Sequence, residues 1–312
     1  MTNTRANSSH KYLGEAALLL MTIIWGATFV IVKESLADSS SMLFIAFRFG
    51  IASLVMALVI LKLKKKIDRA TLKAGLFLGL LMFLGFATQT VGLKLTTATK
   101  SGFITGSLVV MVPIFQTIIF RKAPSKGAVI GTLLVFIGIL FLSSGGSSIM
   151  NLLTELGENF STGDTLTLIC AVFFALHVVF IGVISTKHDF LVLVFLQVVT
   201  ASVLSFIASF FFSAASIEPL HFDLTNNLIF GLLYTALLAT LVNLALQTRF
   251  QKEVTPTKAG IIYSFEPIFA AIFAFFALNE KITNFEFIGS VLIFTGLIVS
   301  EVYDQLVLKN GK

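Results

Sequence analysis

Long apolar runs alternate with short polar segments along this chain. A helix that crosses the hydrocarbon core of a bilayer needs about 20 consecutive apolar residues. Windows of about 19 residues therefore predict ten membrane-spanning helices, numbered spans 1 to 10. They cover residues 14–32, 42–61, 73–93, 101–120, 127–145, 163–184, 190–213, 226–248, 257–278 and 285–303. The pattern indicates an all-α, polytopic membrane protein.

The composition also indicates a membrane protein, and it argues against several kinds of cofactor and ligand. Hydrophobic residues make up 56% of the chain and charged residues only 12%, whereas soluble domains carry about 25% charged residues. Cys170 is the single cysteine and the four histidines lack ligand spacing, so no disulfide framework, metal site or cofactor is predicted. A phosphate-binding GxxxxGK[ST] motif is absent from the sequence, which argues against ATP as the energy source.

The net charge of +6 does not indicate nucleic-acid binding here, because the basic residues are distributed as expected for a protein oriented in a membrane. With the N-terminus inside, 17 of the 22 lysines and arginines fall in inside segments and only four in outside loops. Cytoplasmic loops of membrane proteins are enriched in these residues, and a miscounted span would scramble the bias. The distribution predicts that both termini face the cytoplasm.

The chain also contains an internal repeat. Ala52-Ser53 matches Ala201-Ser202 at an offset of 149, and Thr99–Gly102 matches Thr257–Gly260 at an offset of 158. We expect a first repeat over residues 1–145, a linker over 146–162 and a second repeat over 163–312. Each repeat holds five spans, an odd number, so the second must enter the membrane from the opposite side. Inverted repeats are the architecture of many secondary transporters, whose substrate site lies near the bilayer midplane.

Several motifs resemble those of the EamA-type permeases of the drug/metabolite transporter superfamily. They are Trp25–Phe29, Arg48-Phe49, Leu93–Ala98, Glu266–Phe269, Asn279-Glu280, and Gly289 with Gly296. Span 4 departs from the pattern, because it ends in Phe120–Pro124 where relatives often have a Gly-Glu pair.

The resemblance implies a ten-helix permease of the bacterial inner membrane that works by alternating access. It also implies a central cavity bordered mainly by spans 1, 3, 4, 6, 8 and 9. Family members move small metabolites such as amino acids, nucleosides and quaternary ammonium compounds, often outward.

Four residues are candidates for coupling or gating. Glu266 lies at the centre of span 9, where an ionised carboxylate costs roughly 2.5–3.5 kcal/mol. It could couple protons to substrate movement or accept a hydrogen bond from a substrate amine; equally, it could bond to backbone freed by Pro267. Pro113 and Pro267 occur in corresponding spans, and matched interruptions point to a transporter site. For Arg48, anchoring by snorkelling is favoured over binding a substrate carboxylate.

Polar and aromatic residues on the predicted cavity-lining spans form the candidate substrate-binding set. It comprises Trp25, Phe29, Gln89, Gln116, Phe174, His177, Tyr234, Asn243, Gln247 and Tyr263. Aromatic rings could contact an apolar or cationic substrate, although such residues also pack cores, and amides also join helices within membranes. His177 could carry protons, but a hydrogen-bonded interior role is favoured.

The sequence therefore predicts a secondary transporter for a small metabolite, most simply an amino acid or a related amphipathic or amine compound, moved outward. Its predicted partners are that substrate, the lipid bilayer and protons as a candidate coupling ion. Two alternatives remain: an intramembrane enzyme acting on a lipid-like substrate, and a structural bundle without transport activity. An enzyme would need paired acids, a metal cluster or a nucleophile with its base, and no such motif is recognisable.

Overall fold

Helices make up the fold in the computed structural model, which describes residues 3–121, 125–142, 160–250 and 262–310. In these ranges strand-like pairing is limited to an isolated bridge between Ser39 and Phe222. The helices are α1 (Asn3–Ser35), α2 (Ser41–Lys62), α3 (Arg69–Leu95), α4 (Ala98–Gly106), α5 (Leu108–Phe120), α6 (Lys126–Leu142), α7 (Thr162–Ile184), α8 (Phe190–Ala214), α9 (Asn226–Leu233), a π-helix (Tyr234–Val242), α10 (Asn243–Phe250), α11 (Glu266–Leu278) and α12 (Asn284–Asn310). The all-α prediction is confirmed.

Among the described residues, six helical segments are long and apolar enough to cross a membrane. They are Leu13–Ser35, Ser41–Lys62, Arg69–Leu95, Ala98–Ile119, Thr162–Ile184 and Phe190–Ala214. Four shorter apolar helices, Lys126–Phe141, Asn226–Val242, Glu266–Leu278 and Asn284–Ser300, overlap predicted spans 5, 8, 9 and 10 in part. Residues 257–261 of span 9 and residues 146–159 of the predicted linker lie outside the described residues.

Glycine contacts between α6 and α12 show how the two halves are related. An added Cβ at Gly131 would lie 2.6 Å from the carbonyl oxygen of Gly296, and one at Gly138 would lie 2.8 Å from that of Gly289. Residue numbers rise along one helix as they fall along the other, so the helices are antiparallel. Because Gly131 and Gly289 correspond in the repeat, as do Gly138 and Gly296, exchanging the halves reproduces the same contacts. This pattern is that of inverted repeats.

In the described residues, two predicted spans contain a short break in the helical hydrogen bonding. At Ser107, between α4 and α5 of predicted span 4, the chain keeps right-handed helical torsion angles, with φ of −60° and ψ of −14°. In predicted span 9, a turn at Ser264 and Phe265 precedes α11. Ser107 and Phe265 differ by 158, the offset of the repeat. We expected the interruptions at Pro113 and Pro267; the breaks lie several residues before the first and just before the second. Proline is tolerated in the first turn of a helix, which is where Pro267 lies in α11.

A π-helix interrupts predicted span 8. The backbone N–H of Asn243 donates to the carbonyl oxygen of Leu238, five residues earlier. Such π segments are rare and are frequent at functional sites. The segment turns Tyr234, Thr240 and Asn243 toward α1 and α2, as their hydrogen bonds show.

Candidate functional site

Glu266 is the first residue of α11, immediately after the second helix break. A carboxylate is favourable there because the unpaired N–H groups give a helix N-terminus partial positive charge. A Cβ added at Gly26 of α1 would lie 3.1 Å from the backbone oxygen of Glu266. Pro267 packs against the first half: a Cβ at Gly106 would lie 3.3 Å from its Cγ. Three helices from both halves therefore meet at Glu266.

Aromatic residues of spans 1, 8 and 9 form one group, in which hydrogen bonds fix the polar tips of Trp25 and Tyr234. The indole N–H of Trp25 donates to the carbonyl oxygen of Ala239 in the π-helix at 3.0 Å. Tyr234 donates to the carbonyl oxygen of Ile24 at 3.1 Å. The rings of Trp25 and Tyr263 are 6.2 Å apart. These bonds hold α1 against span 8 and leave the ring faces as the surface that a substrate could contact.

Phe29 and Asn243 lie above and below that group along α1. Phe29 is buried in a cluster that includes Leu93 and Ala270. The amide nitrogen of Asn243 donates to the carbonyl oxygen of Met21 at 3.2 Å. Asn243 is fully buried, and its Oδ1 has no hydrogen-bond partner.

Gln89 and Phe174 belong to a second group, between spans 3, 4 and 6. Gln89 donates through Nε2 to Thr105 Oγ1 at 3.3 Å. The ring of Phe174 meets that of Phe86 edge to face, with centroids 4.9 Å apart. Thr105 precedes Gly106, whose added Cβ would lie 3.3 Å from Cγ of Pro267, so this group borders the surroundings of Glu266.

The other predicted site residues lie apart from these groups or cannot be placed. His177 bonds through Nε2 to Gln197 Oε1 at 2.6 Å, and Gln197 donates in turn to the carbonyl oxygen of Leu193. It therefore joins α7 to α8. Gln116 is exposed on α5. The side chains of Pro113 and Gln247 lie outside the described residues.

Arg48 does not reach the surface as a snorkelling side chain would. It is 5% exposed, and its guanidinium carbon lies 4.7 Å from the ring centroid of Phe86 and 5.2 Å from that of Phe49. Its Nη2 donates to Thr240 Oγ1 at 3.5 Å. The residue thus lies between spans 2, 3 and 8.

A cluster at one end of the bundle joins the two halves and was not predicted. The Glu280 carboxylate accepts hydrogen bonds from Ala98 N at 2.8 Å, Thr99 N at 3.1 Å and Thr99 Oγ1 at 2.8 Å. Lys33 Nζ lies 3.6 Å from the same carboxylate. We call Lys33, Ala98, Thr99 and Glu280 the Glu280 cluster. It ties the C-terminal end of α11 to the N-terminal end of α4, where N–H groups lack helical partners.

Further contacts between the halves surround the Glu280 cluster. Thr96 donates to Asp164 at the start of α7, and Lys94 pairs with Glu218 at 2.7 Å. Glu218 also accepts from the backbone N–H of Ser41 at 3.0 Å. A surface cavity of about 410 Å³ lies here, lined by Lys94, Leu95, Thr96, Thr97, Lys100, Ser161 and Asp164.

The opposite end carries a different pair of contacts. Lys65 Nζ lies 2.6 Å from Asp189 Oδ2, which joins the loop after α2 to the start of α8. This hydrogen bond from Lys65 lowers the pKa of Asp189. Thr71 Oγ1 bonds to His188 Nδ1 at 2.8 Å. In the described part of the chain, acidic, histidine and cysteine side chains form no group that could hold a metal ion.

Comparison with known proteins agrees with this architecture. The EamA-like transporter family matches residues 12–144 and again residues 161–301. An uncharacterized transporter of Archaeoglobus fulgidus is 34% identical over 294 residues, which cover 94% of this chain and 87% of that protein. The uncharacterized transporter YoaV of Bacillus subtilis is 25% identical, over 91% and 94% of the two chains.

A solved crystal structure shares the fold, with a TM-score of 0.64 and 15% identity over 96% of this chain and 99% of that one. The same family model thus matches both halves of the chain. The two relatives are named as transporters, and the similarity extends over nearly their whole length. The chain belongs to the EamA-like transporter family and is a multi-pass membrane transporter.

Proposed function

We propose that the protein is a secondary transporter that moves an amino acid, or a related amphipathic or amine compound, outward by alternating access between its two halves. The observation that carries this proposal is the Glu280 cluster, which joins α4 of the first half to α11 of the second at one end of the bundle. Alternating access needs contacts between the halves that can open and re-form. Hydrogen bonds at the end of a bundle suit this role because water can replace them at small net cost.

The helix breaks support a substrate site midway between the ends. Interrupted helices at corresponding positions are typical of transporter sites, where half-helix termini face the substrate. Here the breaks at Ser107 and Phe265 lie at the repeat offset, and Glu266 follows the second. We therefore propose Trp25, Gln89, Phe174, Tyr234, Asn243 and Tyr263 as substrate contacts, because they lie in the two groups described above. The roles predicted for Phe29, Gln116, His177 and Gln247 rest on the sequence alone.

The proposed orientation follows from the basic residues. Ten membrane-crossing segments, arranged as repeats 1–145 and 163–312 around the linker 146–162, place 17 lysines and arginines on one side. By the positive-inside rule this side is cytoplasmic, with both termini. The Glu280 cluster then faces outward, and the contact between Lys65 and Asp189 faces the cytoplasm of a bacterial cell.

Flux measurements with purified protein in liposomes test the proposal. We expect saturable, selective flux of at least one compound from a panel of the twenty amino acids and their decarboxylated amines. The assay is run with and without a pH gradient across the liposome membrane. Absence of saturable flux across the whole panel would overturn transport of this substrate class.

Glu266→Gln tests the coupling step separately. A glutamine keeps the shape of the side chain and cannot release a proton, so flux driven by a pH gradient should be lost while exchange of substrate persists. Glu34→Gln, which removes an exposed carboxylate from α1, is the matched control and should transport as the wild type does. Unchanged pH dependence in Glu266→Gln would remove Glu266 from this role.

A further inference from the structure

Arg48 carries a buried charge that the described protein does not neutralise. The four ion pairs in the described residues use Lys33, Lys65, Lys94 and Lys100 as their cations, and none includes Arg48. The side chain is nevertheless 95% buried as judged by its 5% exposure. Buried charges in proteins are normally paired, because removing a charge from water without a partner is costly.

The hydrogen bonds of the guanidinium are also incomplete. An arginine has five N–H donors in a planar fork. The Nη2 contact with Thr240 is 3.5 Å long, well beyond the usual 2.7–3.2 Å, and Nε has no partner. Phe49 and Phe86 supply ring faces, which attract a cation but satisfy none of its in-plane donors. The open groups are those that bind a planar acceptor.

An unpaired acceptor lies one helical turn further along the same segment of span 8. Asn243 follows Thr240 by three residues, about 4.5 Å along a helix axis. Its amide nitrogen is engaged by the Met21 carbonyl, which fixes Oδ1 as the free atom, and that atom is buried without a partner. Nε of Arg48 on span 2 and Oδ1 of Asn243 on span 8 are therefore both buried without a partner, and Thr240, which Arg48 contacts, lies three residues before Asn243.

From this arrangement we infer that Arg48 binds the carboxylate of the transported compound and that Asn243 Oδ1 accepts a hydrogen bond from a donor group next to that carboxylate. An arginine fork and a carboxylate match in geometry and form two parallel hydrogen bonds. The ligand class is a small carboxylate with an adjacent ammonium or hydroxyl group. This inference rests on the proposed transport function and narrows its substrate from amines in general to carboxylates.

Ligand binding tests the inference without requiring flux. The probes are the twenty amino acids, each paired with its decarboxylated amine, and binding is measured by the shift in thermal unfolding of the purified protein in detergent. We expect at least one amino acid to stabilise the wild type while its amine does not. Binding of amines equal to that of their parent acids would overturn the inference, as would the absence of any carboxylate ligand.

Variants assign the effect to the guanidinium. Arg48→Lys keeps a positive charge and loses the fork, so affinity for the carboxylate ligand should fall about 10-fold to 100-fold, the loss of one or two charged hydrogen bonds. Arg48→Gln should lose binding. Arg69→Gln removes an exposed arginine at the start of α3 and should bind as the wild type does. Equal affinity of Arg48→Lys and the wild type for the carboxylate ligand would overturn the role of the guanidinium. If Arg48→Gln fails to fold, the comparison of each amino acid with its amine on the wild type still tests whether the site binds a carboxylate.

Binding and flux fail in different ways. Arg48-dependent carboxylate binding without flux would support this inference and contradict the proposed transport function. Saturable flux that is indifferent to the carboxylate would support transport and overturn the role of Arg48.

Discussion

Three interior polar side chains of this bundle donate hydrogen bonds to backbone carbonyls of crossing helices. Trp25, Tyr234 and Asn243 donate to Ala239, Ile24 and Met21 respectively. Within a membrane these bonds are worth keeping, because an unsatisfied polar group in hydrocarbon costs several kcal/mol. The consequence is that Trp25 and Tyr234 can offer a substrate only their ring faces, whereas Arg48 and Asn243 still have polar atoms to offer.

At the ends of the helices, polar residues act as caps. Asp68 precedes α3 and accepts hydrogen bonds from Thr71 N at 2.8 Å and Thr71 Oγ1 at 2.9 Å. The bond from the backbone N–H is the main cause of a lowered pKa of Asp68. A carboxylate with a lowered folded pKa stabilises the folded protein above its ordinary pKa of about 3.9, and this contribution is lost as pH falls through the folded value.

This sign predicts the pH dependence of a cap variant. Asp68→Ala should unfold at a lower temperature than the wild type at pH 7, and the difference should shrink below about pH 4. Thermal unfolding followed by circular dichroism from pH 7 to pH 3 measures it. Asp68→Asn, which keeps an acceptor without charge, should fall between the two at pH 7. Because the charge of His188 also lowers the pKa of Asp68, the comparison that decides is the one made below pH 5. If the difference in unfolding temperature between Asp68→Ala and the wild type stays constant there, Asp68 does not stabilise α3 as a charged cap.

Among the helices, the sequence predicted those bounded by clear changes in polarity. Span 2 was expected over residues 42–61 and α2 runs Ser41–Lys62; α3 begins earlier than span 3 because Asp68 caps it. The break at Ser107 was not predicted, since one serine in an apolar run carries no distinctive signal. The π-helix depends on hydrogen bonds that reach five residues back, and hydropathy does not report them. Glu280 lies 181 residues from Thr99, so no local pattern could indicate their contact.

Close helix contacts make a sharp prediction for two glycines. A Cβ added at Gly26 of α1 would lie 2.6 Å from Phe269 Cβ and 3.0 Å from Ala270 N of α11, whereas one at Gly182 of α7 would meet nothing within 4 Å. We expect Gly26→Ala to lower the free energy of unfolding by about 1–3 kcal/mol through overpacking. Gly182→Ala should raise it by about 0.5–1 kcal/mol, because alanine favours the helix.

Unfolding of both variants in mixed micelles at increasing dodecyl sulfate content measures this difference. The two substitutions are chemically identical, so the opposite signs isolate the packing of α1 on α11. Equal effects of the two variants would show that the two helices do not approach as closely as described.

At the scale of the whole molecule, the inverted repeat places equivalent helix ends at opposite ends of the bundle, and the side chains at these equivalent positions differ in charge. Arg121 and Asn279 correspond at the offset of 158, and each ends its helix in a left-handed conformation, with φ of 54° and 53°. The next residue is Glu280 in the second half and Lys122, outside the described residues, in the first. A lysine accepts no hydrogen bonds, so only the Glu280 end has a carboxylate here to cap the facing helix.

This asymmetry predicts that Glu280 holds its end of the bundle closed. Glu280→Gln keeps the shape of the side chain but loses the charge and one acceptor. A hydrogen bond to a charged group contributes about 1.5–3 kcal/mol, so losing one should raise the open population roughly 10-fold or more. Ala274 is a suitable reporter, because it is fully buried in the cluster with Phe29 and its carbonyl accepts from Glu280 N.

The measurement is the rate at which a membrane-impermeant maleimide labels Ala274→Cys after Cys170, the single native cysteine, is replaced by alanine. Adding Glu280→Gln should speed labelling about 10-fold, in line with the lost charged hydrogen bond. Glu34→Gln removes an exposed carboxylate from the same end and should leave the rate unchanged. Equal rates in all three proteins would mean that closure at this end depends on the surrounding contacts, such as that of Lys94 with Glu218, and not on the carboxylate that distinguishes the two halves.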